Sequence, residues 1–389
     1  MIKIKKNPFR KKIRIRISLR VTVSISIIII VSALIFCTKI KIPGPVVNYS
    51  SYLVMPESIQ HSLAEFKTQI IAKYGSTQHY SFMQNSGSIN DIMKNHYLTD
   101  TTKTPEDVIR ITKKLKDEFE KNNYKSDGTI IEDDFSQKQV TDNFANVFLR
   151  NITADTEIDI ETILSEDFSL PVQSFKEPLV LIYHTHSTES YYPLDNGTFS
   201  SEYPTRNNNK NANMIRVGEE ICSILEANGI LTVHDKKIHD KTYTGAYDNS
   251  REEITKILEK YPSIIITLDI HRDAIYYDNL TRVKPTTEIN GKKAAQPMII
   301  AGAEGGNVTD FPDWEKNLQF ALNLQNYVNT DYNGLMKPVF FCNRKYNMDI
   351  TPYSLLIEMG TDVNTIEEAV YSARLLASSL AKLIREKSQ

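Results

Sequence analysis

The chain has 389 residues, enough for about two domains, and its 41% hydrophobic and 24% charged residues are ordinary for a globular protein. A sizeable core is therefore possible, and a total of only three cysteines excludes a disulfide-stapled extracellular module. The net charge of −2 at pH 7 hides a strong asymmetry between the N-terminus and the rest.

A basic block opens the chain. Residues 1–20 carry nine lysines and arginines, and no acidic residue occurs before Glu57. Such a block can bind nucleic acid, but here an uncharged apolar run, residues 21–38, follows it directly. We therefore predict no nucleic-acid partner and look to the membrane instead.

The apolar run is 18 residues long, and a membrane-spanning helix needs roughly 20 residues with a lower limit of about 17. No A-x-A cleavage site follows it, and the phenylalanine before Cys37 is too bulky for a usual lipoprotein site. We predict an uncleaved transmembrane helix over 21–38, with residues 1–20 as a cytoplasmic tail and the remainder of the chain extracytoplasmic. A cleaved signal peptide is the alternative.

Residues 39–175 are predicted to form a linker and a mainly helical stalk region. Pro43 and Pro45 start the linker. The segment "TPEDVIRITKKLKDEFEKNN" has helical spacing, with Thr104 as its expected cap and Pro105 at the first helical position. "TDNFANVFLRNI" and "DTEIDIETILSED" are shorter helix candidates.

Short apolar strands alternate with amphipathic helices in residues 176–389. The predicted strands are "PLVLIYHTH", "ILTVH", "SIIITLDIHRD", "PMIIAGA", "PVFFCN" and "YSLLIEMG". This order predicts an α/β domain with a mostly parallel sheet and helices on both faces. Cys222 and Cys342 lie in apolar patterns, which favours buried free thiols.

Four polar clusters lie at or beyond the ends of these strands. Because ligands bind outside the carboxyl ends of parallel strands, we expect the clusters to converge. They are His184, His186 and Glu189; Asp269, His271, Arg272 and Asp273; Arg344; and Glu358.

Two imidazoles and a carboxylate suit a zinc site. His186 and Glu189 form an H-x-x-E motif, and His271 is the natural third ligand. Hydrolytic zinc sites commonly use three such ligands and keep a fourth position for water, whose pKa falls to about 7. Asp269 or Asp273 is positioned to orient the imidazole of the third ligand.

Three further residues have open roles. Glu358 is a carboxylate in an apolar strand, so it has either a structural partner or a function, and its place near the strand end favours an acid–base role. His184 is either a ligand or a structural residue. Arg272 either pairs with an aspartate or binds a substrate carboxylate.

The segments "LIYHTHSTESYYP", "VGEEICSILEANGI", "LDIHRDA" and "LLIEMG" together resemble the stage II sporulation protein P family of spore-forming bacteria. The resemblance covers roughly 176–389 and the N-terminal anchor. It implies kinship with zinc-dependent N-acetylmuramoyl-L-alanine amidases. It also implies a role in engulfment, where septal peptidoglycan is degraded by amidase and endopeptidase activities, together with stage II sporulation proteins D and M.

The family's functional positions map onto this chain residue by residue. The first zinc histidine of the amidases matches His186 best, with His184 second, and the second zinc histidine matches His271. The catalytic glutamate matches Glu358.

One feature departs from the amidase pattern. The amidases take a glutamate ligand from the start of the first helix, where this chain reads "NKNANMIR". We therefore assign the carboxylate ligand to Glu189, since Glu219 and Glu220 lie further inside the helix.

The sequence thus predicts a membrane-anchored zinc-dependent peptidoglycan amidase, with possible endopeptidase activity. Two alternatives remain open. A zinc carboxypeptidase on cell-wall peptides would also use H-x-x-E, a distant histidine and a late glutamate. A non-catalytic anchor that recruits sporulation proteins would need no zinc.

Overall fold

The computed structural model describes residues 48–49 and 103–388. The predicted cytoplasmic tail and transmembrane helix fall outside the described residues. In the part of the chain that is described, no helix is long and apolar enough to cross a bilayer.

The described helices follow the amphipathic patterns of the sequence. α3 (Met214–Ala227) is capped by the Asn213 side chain, which accepts from the Ile215 amide, and α6 (Ile366–Lys387) begins with a capping box between Thr365 and Glu368. Pro105, not the expected Thr104, occupies the N-cap position of α1 (Glu106–Lys121). The helices are α1 (Glu106–Lys121), α2 (Ile160–Ser165), α3 (Met214–Ala227), α4 (Ala246–Lys260), α5 (Trp314–Asp331) and α6 (Ile366–Lys387).

The strands form two sheets. In chain order they are β1 (Asn48–Tyr49), β2 (Gly128–Asp133), β3 (Asp142–Phe144), β4 (Val147–Asn151), β5 (Val180–Tyr183), β6 (Thr198–Phe199), β7 (Thr232–His234), β8 (Ile266–Asp273), β9 (Ile275–Asp278), β10 (Thr281–Ile289), β11 (Lys292–Ala295), β12 (Pro297–Gly302), β13 (Val339–Cys342) and β14 (Tyr353–Thr361).

The prediction of a mostly parallel sheet is wrong, because both sheets are mixed. The 8-stranded sheet has the order β3-β4-β13-β12-β14-β8-β5-β7. Within it, β14, β8, β5 and β7 pair in parallel, but β12 runs antiparallel to β14. The 6-stranded sheet runs β1-β9-β10-β2-β6, with β11 on β10, and most of its pairings are antiparallel.

The prediction of a mainly helical region before residue 176 is also wrong for residues 103–175. "TDNFANVFLRNI" forms the hairpin β3–β4, which turns at Ala145 with a left-handed φ of 53°. β4 then pairs in parallel with β13, so a strand partner far along the chain overrides the local helical pattern.

Helices cover both faces of the larger sheet, as predicted. On one face, α3, α5 and α6 pack against apolar residues that include Ile266, Leu268 and Ile270 of β8. On the other face, α4 packs on Leu181 and Tyr183 of β5. Because side chains alternate along a strand and Asp269 pairs in register with Tyr183, the odd-numbered residues at the end of β8 lie on the same face as α4. The buried Cys222 and Cys342 are free thiols, which confirms that prediction.

Candidate active site

The last residues of β8 place polar side chains on one face of the larger sheet. Asp269, His271 and Asp273 alternate with residues of the opposite face, and all three are buried. β14 runs parallel to β8 with Glu358 directly beside His271. The sheet register therefore brings a carboxylate from a distant part of the chain next to this histidine.

The chain leaves β5 at Tyr183 and turns back over this face. The His186 ring stands edge-on to the His271 ring, with ring centroids 5.4 Å apart and an interplanar angle of 89°. An oxygen of Glu189 lies 3.5 Å from Nδ1 of His271. The structure thus brings His186, Glu189 and His271 together, with Glu358 on the neighbouring strand.

Glu189 is buried in a positively charged environment. Arg206 Nη2 lies 3.3 Å from one carboxylate oxygen, and the backbone amide of Arg272 donates to the other at 3.3 Å. Burial alone would raise the pKa of Glu189, but Arg272, His271 and Arg206 together hold it well below its ordinary value. The side chain is therefore an anion at neutral pH.

His271 lies between two carboxylates. Its Nε2 is 2.8 Å from Asp269 Oδ1, and its Nδ1 faces Glu189. Burial lowers the pKa of His271, but Asp269 and Glu189 outweigh this and raise it well above the ordinary value. The site therefore favours a positive charge at this position, carried either by a proton or by a cation.

His186 is a neutral imidazole with an unused nitrogen. Its Nδ1 is buried and has no hydrogen-bond partner among the described residues, since Asp240 lies 3.9 Å away. Burial lowers the pKa of His186 to about 3. Tyr243 stacks on the ring at 4.6 Å and Tyr247 contacts it edge-on. These contacts hold the ring in place and leave its Nδ1 without a hydrogen bond to any described residue.

These donors fit zinc in kind. No group of three or more His, Cys, Asp and Glu side chains within the described ranges is already arranged as a metal site. The buried, unpartnered Nδ1 of His186 and the anionic Glu189 beside His271 are nevertheless the donor types that zinc takes. Both histidines must be neutral to bind it, and so His271 would exchange a proton for the metal.

Glu358 has the properties of a proton carrier. The residue is half-buried, and its Oε2 has no hydrogen-bond partner in the described part of the chain. Burial, reinforced by the negative charge of Asp273, raises the pKa of Glu358 to about 8. A carboxyl group with a pKa near the working pH can both accept and release a proton.

His184 lies outside this cluster. Its Nδ1 donates to the Ile270 carbonyl at 2.9 Å, and its Nε2 contacts Nε2 of His234 at 2.9 Å. The His184 ring is packed under Gly218 of α3, where an added Cβ would lie 2.6 Å from it. The strand ends at Tyr183, so the alternation that would place His184 and His186 on one side does not reach them.

Arg272 directs its guanidinium group away from the histidines. Nε donates to the Ser190 carbonyl at 3.1 Å and Nη2 to the Thr205 carbonyl at 2.9 Å. The side chain is buried. It therefore ties the segment that carries Glu189 to the segment that carries Arg206.

The two alternative carboxylates on α3 are occupied elsewhere. Glu219 pairs with Lys236 at 3.0 Å. Glu220 pairs with Arg216 at 2.8 Å and with Arg374.

Several residues around the site are missed by sequence reasoning. Arg206 bridges Glu189 and Asp240, and Asp240 also accepts from the Thr188 hydroxyl at 2.5 Å. Tyr243 and Tyr247 precede or begin α4 and enclose the two rings. Arg206, Asp240 and Tyr243 lie in irregular segments, and Tyr247 lies in the first turn of α4, so no periodic pattern in the sequence marks them.

The chain matches a known protein family and a member of that family. A family model described as stage II sporulation protein P (SpoIIP) matches residues 78–381. The chain is 32% identical over 218 residues to stage II sporulation protein P of Bacillus subtilis (strain 168), a stretch that makes up 53% of this chain and 51% of the relative. The match therefore spans about half the length of that relative.

Solved structures of N-acetylmuramoyl-L-alanine amidases are also similar to part of the chain. AmiC2 of Nostoc punctiforme is 12% identical with a TM-score of 0.30, over 54% of this chain and 96% of that chain. The amidase from Clostridium difficile 630 is 13% identical with a TM-score of 0.32, over 54% and 98%. We base no conclusion on similarities this weak.

Proposed function

Because the chain belongs to the stage II sporulation protein P family, we propose that it is a zinc-dependent peptidoglycan hydrolase that acts during sporulation. The bond that it cuts joins the lactyl group of muramic acid to L-alanine, and endopeptidase activity is its proposed second function. The observation that carries this proposal is the convergence of His186, Glu189 and His271 beside Glu358.

His186, Glu189 and His271 would hold the metal. When bound, zinc supplies a Lewis acid for the scissile carbonyl and a water whose pKa is about 7. The stacked Tyr243 and edge-on Tyr247 keep the His186 ring from turning. Arg206, whose side chain is 38% exposed, contacts the Glu189 carboxylate at 3.3 Å and helps to orient it.

Glu358 is the general base and acid in this proposal. It removes a proton from the attacking water as the new C–O bond forms. It then delivers that proton to the amide nitrogen as the C–N bond breaks, which releases the amine and leaves a carboxylic acid. The raised pKa of Glu358, about 8, suits both steps near neutral pH.

We extend the proposal to where the protein acts. A single transmembrane helix over residues 21–38 would anchor the chain in the cell membrane with its N-terminus in the cytoplasm. The hydrolase domain would then lie on the side of the membrane where peptidoglycan is found, and would degrade septal cell wall during engulfment with stage II sporulation proteins D and M.

The test is digestion of purified sacculi by the full chain, purified in detergent with zinc. We expect release of stem peptides with free L-alanine amino groups, and a Glu358→Gln variant slower by about 10²- to 10⁴-fold, the usual contribution of a general acid or base. Glu219→Gln is the matched control, because Glu219 is exposed and paired with Lys236, and it should act like the parent.

The products also separate the alternatives. Free C-terminal amino acids without stem peptides would indicate a carboxypeptidase, and cleavage within stem peptides would indicate the endopeptidase activity. If no product appears and Glu358→Gln behaves like the parent, the proposed enzymatic function is wrong and a recruiting role without zinc is favoured.

A further inference from the structure

Asp269 lies directly behind His271 and makes three close contacts with its neighbours. We infer that Asp269 is the positioning residue that orients His271 for metal binding, and that Thr185, Ser250 and Asn347 hold Asp269 in place. This inference rests on the proposed zinc site. Asp269 is fully buried.

Both oxygens of Asp269 are engaged. Oδ1 accepts from the Thr185 amide at 2.8 Å and lies 2.8 Å from Nε2 of His271. Oδ2 accepts from the Thr185 hydroxyl at 2.6 Å. Nε2 of His271 is buried and has no hydrogen-bond partner of full geometry among the described residues, but a carboxylate oxygen 2.8 Å away is an acceptor and favours the His271 tautomer with its hydrogen on Nε2. The lone pair of a neutral His271 then lies on Nδ1, the nitrogen that faces Glu189.

The support continues away from the site through buried hydroxyl and amide groups. The Thr185 hydroxyl contacts the Ser250 hydroxyl of α4 at 2.8 Å. Asn347 Nδ2 donates to the same Ser250 oxygen at 3.1 Å and to the Tyr247 carbonyl at 3.0 Å. The end of β5, the first turns of α4 and the segment after β13 therefore meet behind Asp269.

The segment after β13 carries backbone strain at this junction. Tyr346 and Asn347 have left-handed φ values of 42° and 60°, a region that bulky residues rarely enter. Tyr346 stacks on Tyr247 at 5.3 Å, and the Asn347 side chain is bonded as described above. Such strain persists only where the surroundings determine the conformation. Here the contacts of Tyr346 and Asn347 with α4 determine it, and they hold α4 against the site.

Asp273, the other aspartate on the same strand face, is used differently. Its Oδ1 accepts from the Ala274 amide at 2.7 Å, and its Oδ2 faces the buried Lys337 at 3.3 Å. Of these two aspartates, the geometry therefore points to Asp269 as the partner of His271. Partners of this kind typically change metal affinity by about 10- to 100-fold.

The experiment compares zinc binding by the full-length parent, Asp269→Ala, Asp269→Asn and Asp273→Asn, in competition with a chromophoric chelator. Asp269→Ala should bind zinc about 10- to 100-fold more weakly. Asp269→Asn should lie between it and the parent, because an amide oxygen can keep the close approach to Nε2 but carries no charge. Asp273→Asn should bind like the parent.

A second measurement separates orientation from a loss of folding. The visible spectrum of the cobalt(II)-substituted protein reports ligand geometry, and it should change in Asp269→Ala and stay unchanged in Asp273→Asn. If the Asp269 variants do not fold, Thr185→Val decides, because it removes the hydroxyl contacts to Oδ2 and to Ser250, keeps the amide bond to Oδ1, and should still weaken zinc binding severalfold.

Two results would overturn the inference. One is equal zinc affinity and an identical cobalt spectrum for folded Asp269→Ala and the parent. The other, where Asp269 variants do not fold, is unchanged zinc binding by Thr185→Val. Failure of the parent itself to bind zinc would instead contradict the proposed function, so the two failures are distinguishable.

Discussion

Replacing Lys284 with methionine should destabilise the protein much more than the same change at Lys293. The Lys284 side chain is 1% exposed, and its Nζ lies 2.6 Å from Asp195, 2.7 Å from Glu368 and 3.1 Å from Glu132. Lys293, 40% exposed, pairs with only Asp195 and Glu132, at 2.9 and 2.8 Å. The two lysines thus share partners but differ in burial.

The expected magnitude follows from which carboxylates lose their partner. Removing one member of a buried ionic group costs about 3–5 kcal/mol, and an exposed pair contributes about 0–1 kcal/mol. In Lys284→Met, Asp195 and Glu132 keep Lys293, and Glu368 keeps bonds from the Thr365 amide and the Asn364 side chain. We therefore expect a loss near the lower limit, about 3 kcal/mol, against less than about 1 kcal/mol for Lys293→Met.

Urea unfolding at pH 7, followed by circular dichroism, measures both variants against the parent. Burial raises the pKa of Asp195, but Lys284 and Lys293 outweigh it and lower that pKa below the ordinary 3.8. The stabilisation is therefore present above about pH 4 and is lost as the pH falls further, so the difference between parent and Lys284→Met should shrink in acid. Equal losses for the two variants at pH 7 would refute the reasoning.

Three further predictions concern other parts of the molecule. Gly218→Ala should lower the free energy of unfolding in urea by roughly 1 kcal/mol, because its Cβ would lie 2.6 Å from the His184 ring. The cost of this overpacking outweighs the higher helix propensity of alanine. A variant more stable than the parent would contradict this. Arg272→Lys should cost about 1–3 kcal/mol in the same assay, since two carbonyls lose their donors; a loss within error would show that these bonds are dispensable. In a Cys37→Ser, Cys222→Ser background, where Cys342 is the remaining thiol, it should resist a thiol reagent at pH 8 until the protein is unfolded, because burial raises its pKa to about 12; rapid labelling of the native protein would disprove its burial.

Much of the fold after residue 176 can be predicted from the sequence. The helices of this part and its strands in the 8-stranded sheet have local apolar patterns, as in β8 and α6, and these patterns agree with the tertiary structure. The strands before residue 176 and the second sheet could not be predicted in this way. β4 is specified by its pairing with β13, and β10 reads "TRVKPTTEI", a polar segment that becomes a strand through its neighbours.

The sequence by itself determined the chemical types at the candidate site: imidazoles and carboxylates near strand ends, which predict a zinc hydrolase. Only the tertiary structure separated His186 from His184, because the strand stops at Tyr183 and the following turn sends the two rings in different directions. The tertiary structure likewise shows that Asp269 contacts His271, whereas Asp273 faces Lys337. Residue type and local period are properties of short segments, whereas contacts between segments depend on sheet register and loop path, which no short segment encodes.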